Sequence, residues 1–289
     1  MTLFELVKVA LDELYDEGKA QHGASLDDKI KAKISYLAGG YRGLTDSSRR
    51  AISYRDPATR FAYVMKYVAT HGDYVVQTLE ALRDVNGGKV FSAESARLSC
   101  VGGGPGSDVM GVLKYLSENK KEPVKKLTCY LLDGEQAWAD TWTEIGDALQ
   151  SPVPINVNFQ PLDVTKPESW NSQKKFLLAD LFTFSYFVSE VKAFDKGGVV
   201  GDFWDKIFTE ASIGANFLYI DNGHKEFNEF FDSFLRGIKD VECLYEDDNQ
   251  WTTPRGSEQS DELGEYKTKF GQSPKLKSMI STRILKKIK

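Results

Sequence analysis

The segment Leu98-Ser-Cys-Val-Gly-Gly-Gly-Pro-Gly-Ser-Asp108 constrains the fold more than any other part of the chain. A short apolar run breaks into glycines at 102, 103, 104 and 106, and then enters Val109-Met-Gly-Val-Leu-Lys-Tyr-Leu116, which reads as a helix. Strand, glycine turn and helix in that order make a site where a ligand lies against backbone at a helix N-terminus. Any Cβ would block that approach, and the turn calls for positive φ. Between Val101 and Asp108 there is no Lys or Arg, and Asp108 is negative. A phosphate cradle gains from a cation. This turn therefore suits a nucleoside ligand without phosphate, including one that carries positive charge.

Four further strands follow. Lys126-Leu-Thr-Cys-Tyr-Leu-Leu132 ends in Asp133, 27 positions beyond Gly106, which leaves room for one helix and a return strand. A carboxylate closing the second strand of a doubly wound fold hydrogen-bonds ribose hydroxyls. Ile155-Asn-Val-Asn-Phe-Gln160 alternates apolar and polar residues and leads to Asp163, which can also cap the turn before Pro167. The fourth strand is predicted over Ala179–Val191, and the fifth over Ala215–Ile220 before Asp221-Asn-Gly-His224. Ligands of open α/β sheets bind beyond the carboxyl ends of the strands, so these five ends define one predicted site.

The glycine spacing separates two cofactor classes. The dinucleotide fingerprint is G-x-G-x-x-G, and Ser107 stands where its third glycine belongs. The spacing here is G-x-G-x-G. On these residues the chain resembles the class I methyltransferases that use S-adenosylmethionine (AdoMet), over about residues 95 to 288. The resemblance implies a doubly wound, seven-stranded, mostly parallel sheet whose last strand, Ser278–Leu285, is antiparallel. It implies AdoMet as cofactor, held by Gly102, Gly103, Gly104, Gly106, Asp108 and Asp133. Asp163 would meet the adenine amine, and Ser185, Tyr186 and Glu190 would stand at the mouth of the active site. A nicotinamide-dependent oxidoreductase is the weaker reading. A catalytically silent AdoMet-binding module, acting through protein interactions, is the alternative to an active transferase.

Residues 1–92 precede the first strand and read as a helical region covering the acceptor pocket, with 93–289 as the AdoMet-binding domain. Met1–Tyr15 reads as an amphipathic helix and not as a signal peptide. Asp56 and Pro57 give an N-cap and first helical position for a helix to Thr70, and a second helix is predicted from Asp73 to Arg83, stopping at Asn86-Gly87-Gly88. Within this cover Tyr41, Arg42, Tyr54 and Arg55 are candidates for substrate or for the carboxylate of the cofactor's amino-acid tail. An Arg fork matches a carboxylate through paired hydrogen bonds. Glu190, Tyr186 and His224 are the candidate proton acceptors, needed only if the methyl acceptor must shed a proton.

The 289 residues carry a formal net charge of −5, which disfavours a protein that wraps nucleic acid. No apolar run nears the ~20 residues needed to span a bilayer. Cys100, Cys129 and Cys243 are far apart, and two lie in predicted strands, so buried thiols in a reducing compartment are expected, with no metal site. A cytoplasmic location is expected, with the nucleus left open. The basic end Arg283–Lys289 reads as the solvated end of a last strand. Glu246–Gln272, polar and glycine-rich, is predicted to be a mobile loop over the site or at the sheet edge. The acceptor is not legible, although the acidic balance and the aromatics at 182–187 tilt towards a small molecule or a protein side chain over RNA.

Overall fold

The computed structural model describes residues 2–289. The N-terminal region is helical: α1 is Leu3–His22, α2 Leu26–Arg42, α3 Pro57–Tyr63 and α4 Ala69–Val85. The alternating part follows as β1 (Ser95–Val101), α5 (Ser107–Glu118), β2 (Lys126–Asp133), α6 (Ala137–Ala148) and β3 (Ile155–Pro161). Then come α7 (Pro167–Trp170), β4 (Leu181–Ser185), α8 (Val188–Val191), α9 (Val199–Glu210), β5 (Asn216–Asn222) and α10 (Lys225–Leu235). The chain closes with β6 (Val241–Thr252), α11 (Glu265–Phe270) and β7 (Ser278–Lys287).

The strands form one sheet in the order β3-β2-β1-β4-β5-β7-β6. β1 to β5 pair in parallel, whereas β7 runs antiparallel between β5 and β6. The order reverses at β1, which places the glycine turn and the ends of β2 and β4 around one crevice. The doubly wound sheet with an antiparallel last strand is the fold expected from the sequence.

Period-two alternation divides the side chains of the sheet between two cores. Leu98, Cys100, Leu131, Leu218 and Ile284 face one core, which they share with helices α1 to α6. Val101, Leu132, Phe182, Phe184, Phe217 and Tyr219 face the other, filled by Phe203, Trp204 and Phe208 of α9 and Phe231 of α10. Helices α4 and α5 cross closely because both lack side chains at the contact. A Cβ at Gly111 would sit 2.5 Å from the carbonyl oxygen of Gly72.

Three boundaries differ from the sequence reading. The two helices predicted over 56–70 and 73–83 are one continuous path, because Val64–Val68 forms a π-helical turn that joins α3 to α4. The Asp56 carboxylate does cap α3, accepting from the Ala58 amide at 2.9 Å, and Asn86 ends α4. β4 stops at Ser185 and not at Val191, because Tyr186 takes φ +55°, which no strand continues through. Glu246–Thr252 belongs to β6, whose pairing with β7 absorbs two register irregularities. The rest of the predicted mobile loop is anchored on the N-terminal helices. Leu263, Tyr266 and Phe270 are buried, and Arg255 pairs with the buried Asp73 at 2.7 Å. Cys100 and Cys129 are buried, and Cys243 is exposed. Among the described residues, no helix is long and apolar enough to cross a membrane.

Candidate active site

The crevice at the strand ends opens into a cavity of about 850 Å³, within the range of sites that enclose a small organic ligand. Its sheet-derived wall comes from the glycine turn, the end of β2 and the end of β4. The amides of Gly102 and Gly103 donate to the Leu132 carbonyl at 2.9 and 3.0 Å, and that of Gly106 to the Gly103 carbonyl at 2.8 Å. The Gly104 amide donates to Asp133 Oδ2 at 2.9 Å. These donors are turned inward and satisfied, so this stretch does not offer the cluster of free N–H groups that a phosphate requires.

The glycines serve different purposes. Gly104 has φ +49°, and a Cβ there would meet nothing nearer than 3.8 Å, at the Trp138 indole nitrogen. That open space is cavity. Gly102 has φ +68°, and a Cβ there would overlap the Phe187 ring. Gly103 and Gly106 do not line the cavity. They allow the turn to pack on Leu131 and on the Trp142 ring.

Asp133 accepts from the amides of Gly104 and Glu135, at 2.9 and 2.8 Å, and keeps further lone pairs for a ligand. Burial pushes its carboxyl up to about 6, against the two amide hydrogen bonds. Asp163 also lines the cavity, but its carboxylate holds the Thr165 amide and hydroxyl at 3.0 and 2.6 Å and the Lys166 ammonium at 2.8 Å. Ser185 lines the same wall. Its buried hydroxyl makes no well-formed hydrogen bond, although it lies near enough to Asp108 to favour that carboxylate.

The second wall is phenolic and comes mostly from residues before the sheet. Tyr41, Tyr54 and Tyr63 line it, together with Trp138 from α6. Their rings pack in sequence. Tyr54 lies 4.8 Å from Trp138 and 5.3 Å from Tyr63, and Tyr63 lies 5.5 Å from Trp138. Burial raises the phenol pKa of all three tyrosines well above the ordinary value, so they remain neutral. The Tyr41 and Tyr54 hydroxyls are 2.7 Å apart. Glu190, on α8, lines the cavity beside them and takes the Arg49 guanidinium at 2.7 Å. Burial raises the Glu190 carboxyl, with Arg49 and Tyr41 opposing.

The structure thus brings Gly102, Gly104, Asp133, Asp163, Ser185, Tyr186 and Glu190 to one cavity. Tyr41 and Tyr54, also predicted, line its second wall, and the remaining predicted residues lie elsewhere. Asp108 is buried beneath the turn, where it accepts from the Thr183 hydroxyl and burial pushes it up to about 6. The Arg55 side chain is 87% exposed and faces Glu135 only at 3.9 Å. Arg42 is exposed and donates to the Ala38 carbonyl. His224 is exposed and accepts from the Glu226 amide as the N-cap of α10. Tyr186 stacks on the buried His71, with ring centroids 3.8 Å apart. Sequence reasoning missed Tyr63, Trp138, Glu135, Phe187 and Arg49. Trp138 carried a signal, since it follows Asp133 by five positions at the start of a helix that must return over the turn.

Compared with protein-family models and with curated protein sequences, the chain matches none. It is similar to solved structures that include TehB from Haemophilus influenzae, at TM-score 0.43 and 14% identity, covering 78% of this chain and 66% of that one. The mitomycin 7-O-methyltransferase MmcR gives 0.46 and 15%, covering 86% and 67%. An rRNA methylase from Streptococcus thermophilus gives 0.40 and 10%, covering 74% and 95%. The seven-stranded, mostly parallel sheet with an antiparallel last strand that the resemblance implied is the sheet of this chain.

Proposed function

We propose that this chain binds AdoMet in the crevice beyond β1, β2 and β4 and transfers its methyl group. One observation carries the reading: the open face of Gly104 and the Asp133 carboxylate, hydrogen-bonded to each other at 2.9 Å, border the same cavity. Asp133 has the acceptors that ribose hydroxyls need. Asp163 and the apolar Leu162 and Val164 form the part of the wall where an adenine fits, and Ser185 lines the same cavity at the end of β4. The absence of basic side chains on the turn, together with its inward amides, favours a phosphate-free cation over a dinucleotide. Bound there, AdoMet supplies a methyl group activated by the positive sulfonium. The work of the protein is to hold donor and acceptor in line and exclude water.

The helical region before residue 93 is, in this reading, the cover of the acceptor half. A small molecule or a protein side chain is favoured as acceptor over RNA. Calorimetry tests the pocket: AdoMet and S-adenosylhomocysteine should bind with one site, and NADH should not. Transfer of labelled methyl from AdoMet to a metabolite or lysate pool distinguishes a working enzyme from a silent binding module, which would bind without turnover.

A further inference from the structure

We propose that residues 44–53 form a strap over the cavity, latched shut by Arg49 on α8, and that ligand enters and leaves when this latch releases. The device belongs to the wall of the cavity and works in the same way whichever ligand is enclosed.

The strap lies between α2 and α3 and has neither helix nor strand. Ala51 and Ile52 line the cavity, and Ala51 is exposed as well, so this stretch stands where the cavity meets solvent. Among the described residues, no amide from Arg50 to Arg55 donates to a backbone carbonyl. A segment held without such a ladder belongs to the low-stability end of a structure and opens locally.

Its two ends differ. On the C-terminal side the chain is fixed, because the buried Arg60 guanidinium donates to the carbonyls of Tyr54 and Arg55 at 3.0 and 2.9 Å. On the N-terminal side Gly39 and Gly40 lie in the last turn of α2 and Gly43 caps it, which gives the backbone freedom to turn there. Between these ends, among the described residues, Arg49 makes the only hydrogen bonds and the only ion pair that tie 44–53 to the sheet-bearing part of the chain.

The Arg49 guanidinium donates to Glu190 Oε2 at 2.7 Å and to the Ser189 carbonyl at 3.4 Å, and stands 5.3 Å from the centre of the Phe194 ring. Its side chain is 7% exposed, although its neighbours Ser48 and Arg50 face water. Glu190 and Phe194 line the cavity, whereas Arg49 does not. The guanidinium therefore joins two parts of the lining, the strap and the segment after β4, from outside the space a ligand fills. One charge-assisted contact over a ring holds such a lid closed and still lets it open on the timescale of lid motions.

Trypsin reads the strap in the full chain. Cleavage after Arg50 requires Ala51 and Ile52 to leave the rim of the cavity, and its rate follows the open population. E190A removes the latch from its far side and leaves the cleaved sequence unchanged. It should be cut between residues 50 and 51 about tenfold faster than the parent, the loss of one charge-assisted hydrogen bond, with cuts elsewhere at their parent rates. E190Q, which keeps the shape and a neutral acceptor, should be cut about threefold faster. Cleavage at the parent rate in E190A, or in E190Q should E190A not fold, overturns the inference. So does an acceleration shared equally by sites throughout the chain.

Gating has a second signature. Because Arg49 does not line the cavity, R49M removes the latch without removing a ligand contact. Stopped-flow binding of S-adenosylhomocysteine to R49M should show association and dissociation both about tenfold faster, since entry scales with the open fraction. Unchanged rates, or a rise in dissociation alone as a merely loosened pocket would give, overturn the gate. If the parent does not bind S-adenosylhomocysteine, the cofactor reading falls, and the trypsin rates decide on the strap by themselves.

Discussion

The two walls of the cavity are made in contrasting ways. The sheet-derived wall is backbone and carboxylate: a turn whose amides point inward, and Asp133 holding the Gly104 amide. The helical wall is side chain throughout, with three neutral phenols, an indole and a carboxylate matched to Arg49. The first has almost no conformational choice once its strands are paired. The second exists only because segments near 41, 54, 63, 138 and 190 are packed together. Backbone geometry suits a ligand common to many proteins, and an assembled side-chain surface suits one that is particular to this chain.

Substitutions should divide along that line. Asp133→Ala should weaken AdoMet about 100-fold by calorimetry, the loss of roughly two hydrogen bonds to a charged group at ~1.5 kcal/mol each. A result within threefold of the parent would remove the sheet-derived wall from cofactor binding. Next come the glycines. Gly104→Ala should fold, with a left-handed residue costing ~1–2 kcal/mol, and lose about tenfold in affinity as its methyl enters the ligand's space. Gly102→Ala should instead lower Tm further than Gly104→Ala does, because its methyl meets the Phe187 ring.

The pH response sharpens the same contrast. The Asp133 carboxyl, raised by burial to about 6, must be ionised to accept from two ribose hydroxyls. AdoMet affinity should therefore fall as pH drops through about 6 and be flat in Asp133→Asn. Equal pH slopes in the two proteins would locate the titrating group elsewhere. The smallest effects belong to the exposed candidates. Arg55→Ala and His224→Ala should each change AdoMet affinity by less than about twofold, as neither lines the cavity.

The parts legible in the sequence are those fixed by local pattern. β2 and its terminal Asp133 stand out because a buried parallel strand is a continuous apolar run with a polar stop. Tyr41 and Tyr54 stood in the segment assigned to the cover, but their partners Tyr63, Trp138 and Glu190 come from three distant elements. No spacing rule joins them. The π-helical turn at Val64–Val68 was hidden for a related reason. One inserted residue leaves a 3.6-residue apolar pattern nearly intact while rotating the remainder of the helix, and Tyr63, Tyr67 and His71 all pack around it. The end of β4 was overrun because the apolar pattern continues past Ser185 to Val191, and only the backbone angle at Tyr186 interrupts it.

The shared core under the N-terminal helices bears on how the molecule can be shortened. Leu3, Phe4, Leu11, Phe61 and Val75 lie in the same apolar mass as Leu98 and Ile220 of the sheet. A truncated chain starting near residue 93 would turn that surface to water and leave Tyr266 and Phe270 without the rings and methyls they rest on. Such a fragment is expected to be recovered as aggregate, so dissection of this protein is better attempted by point changes than by cutting.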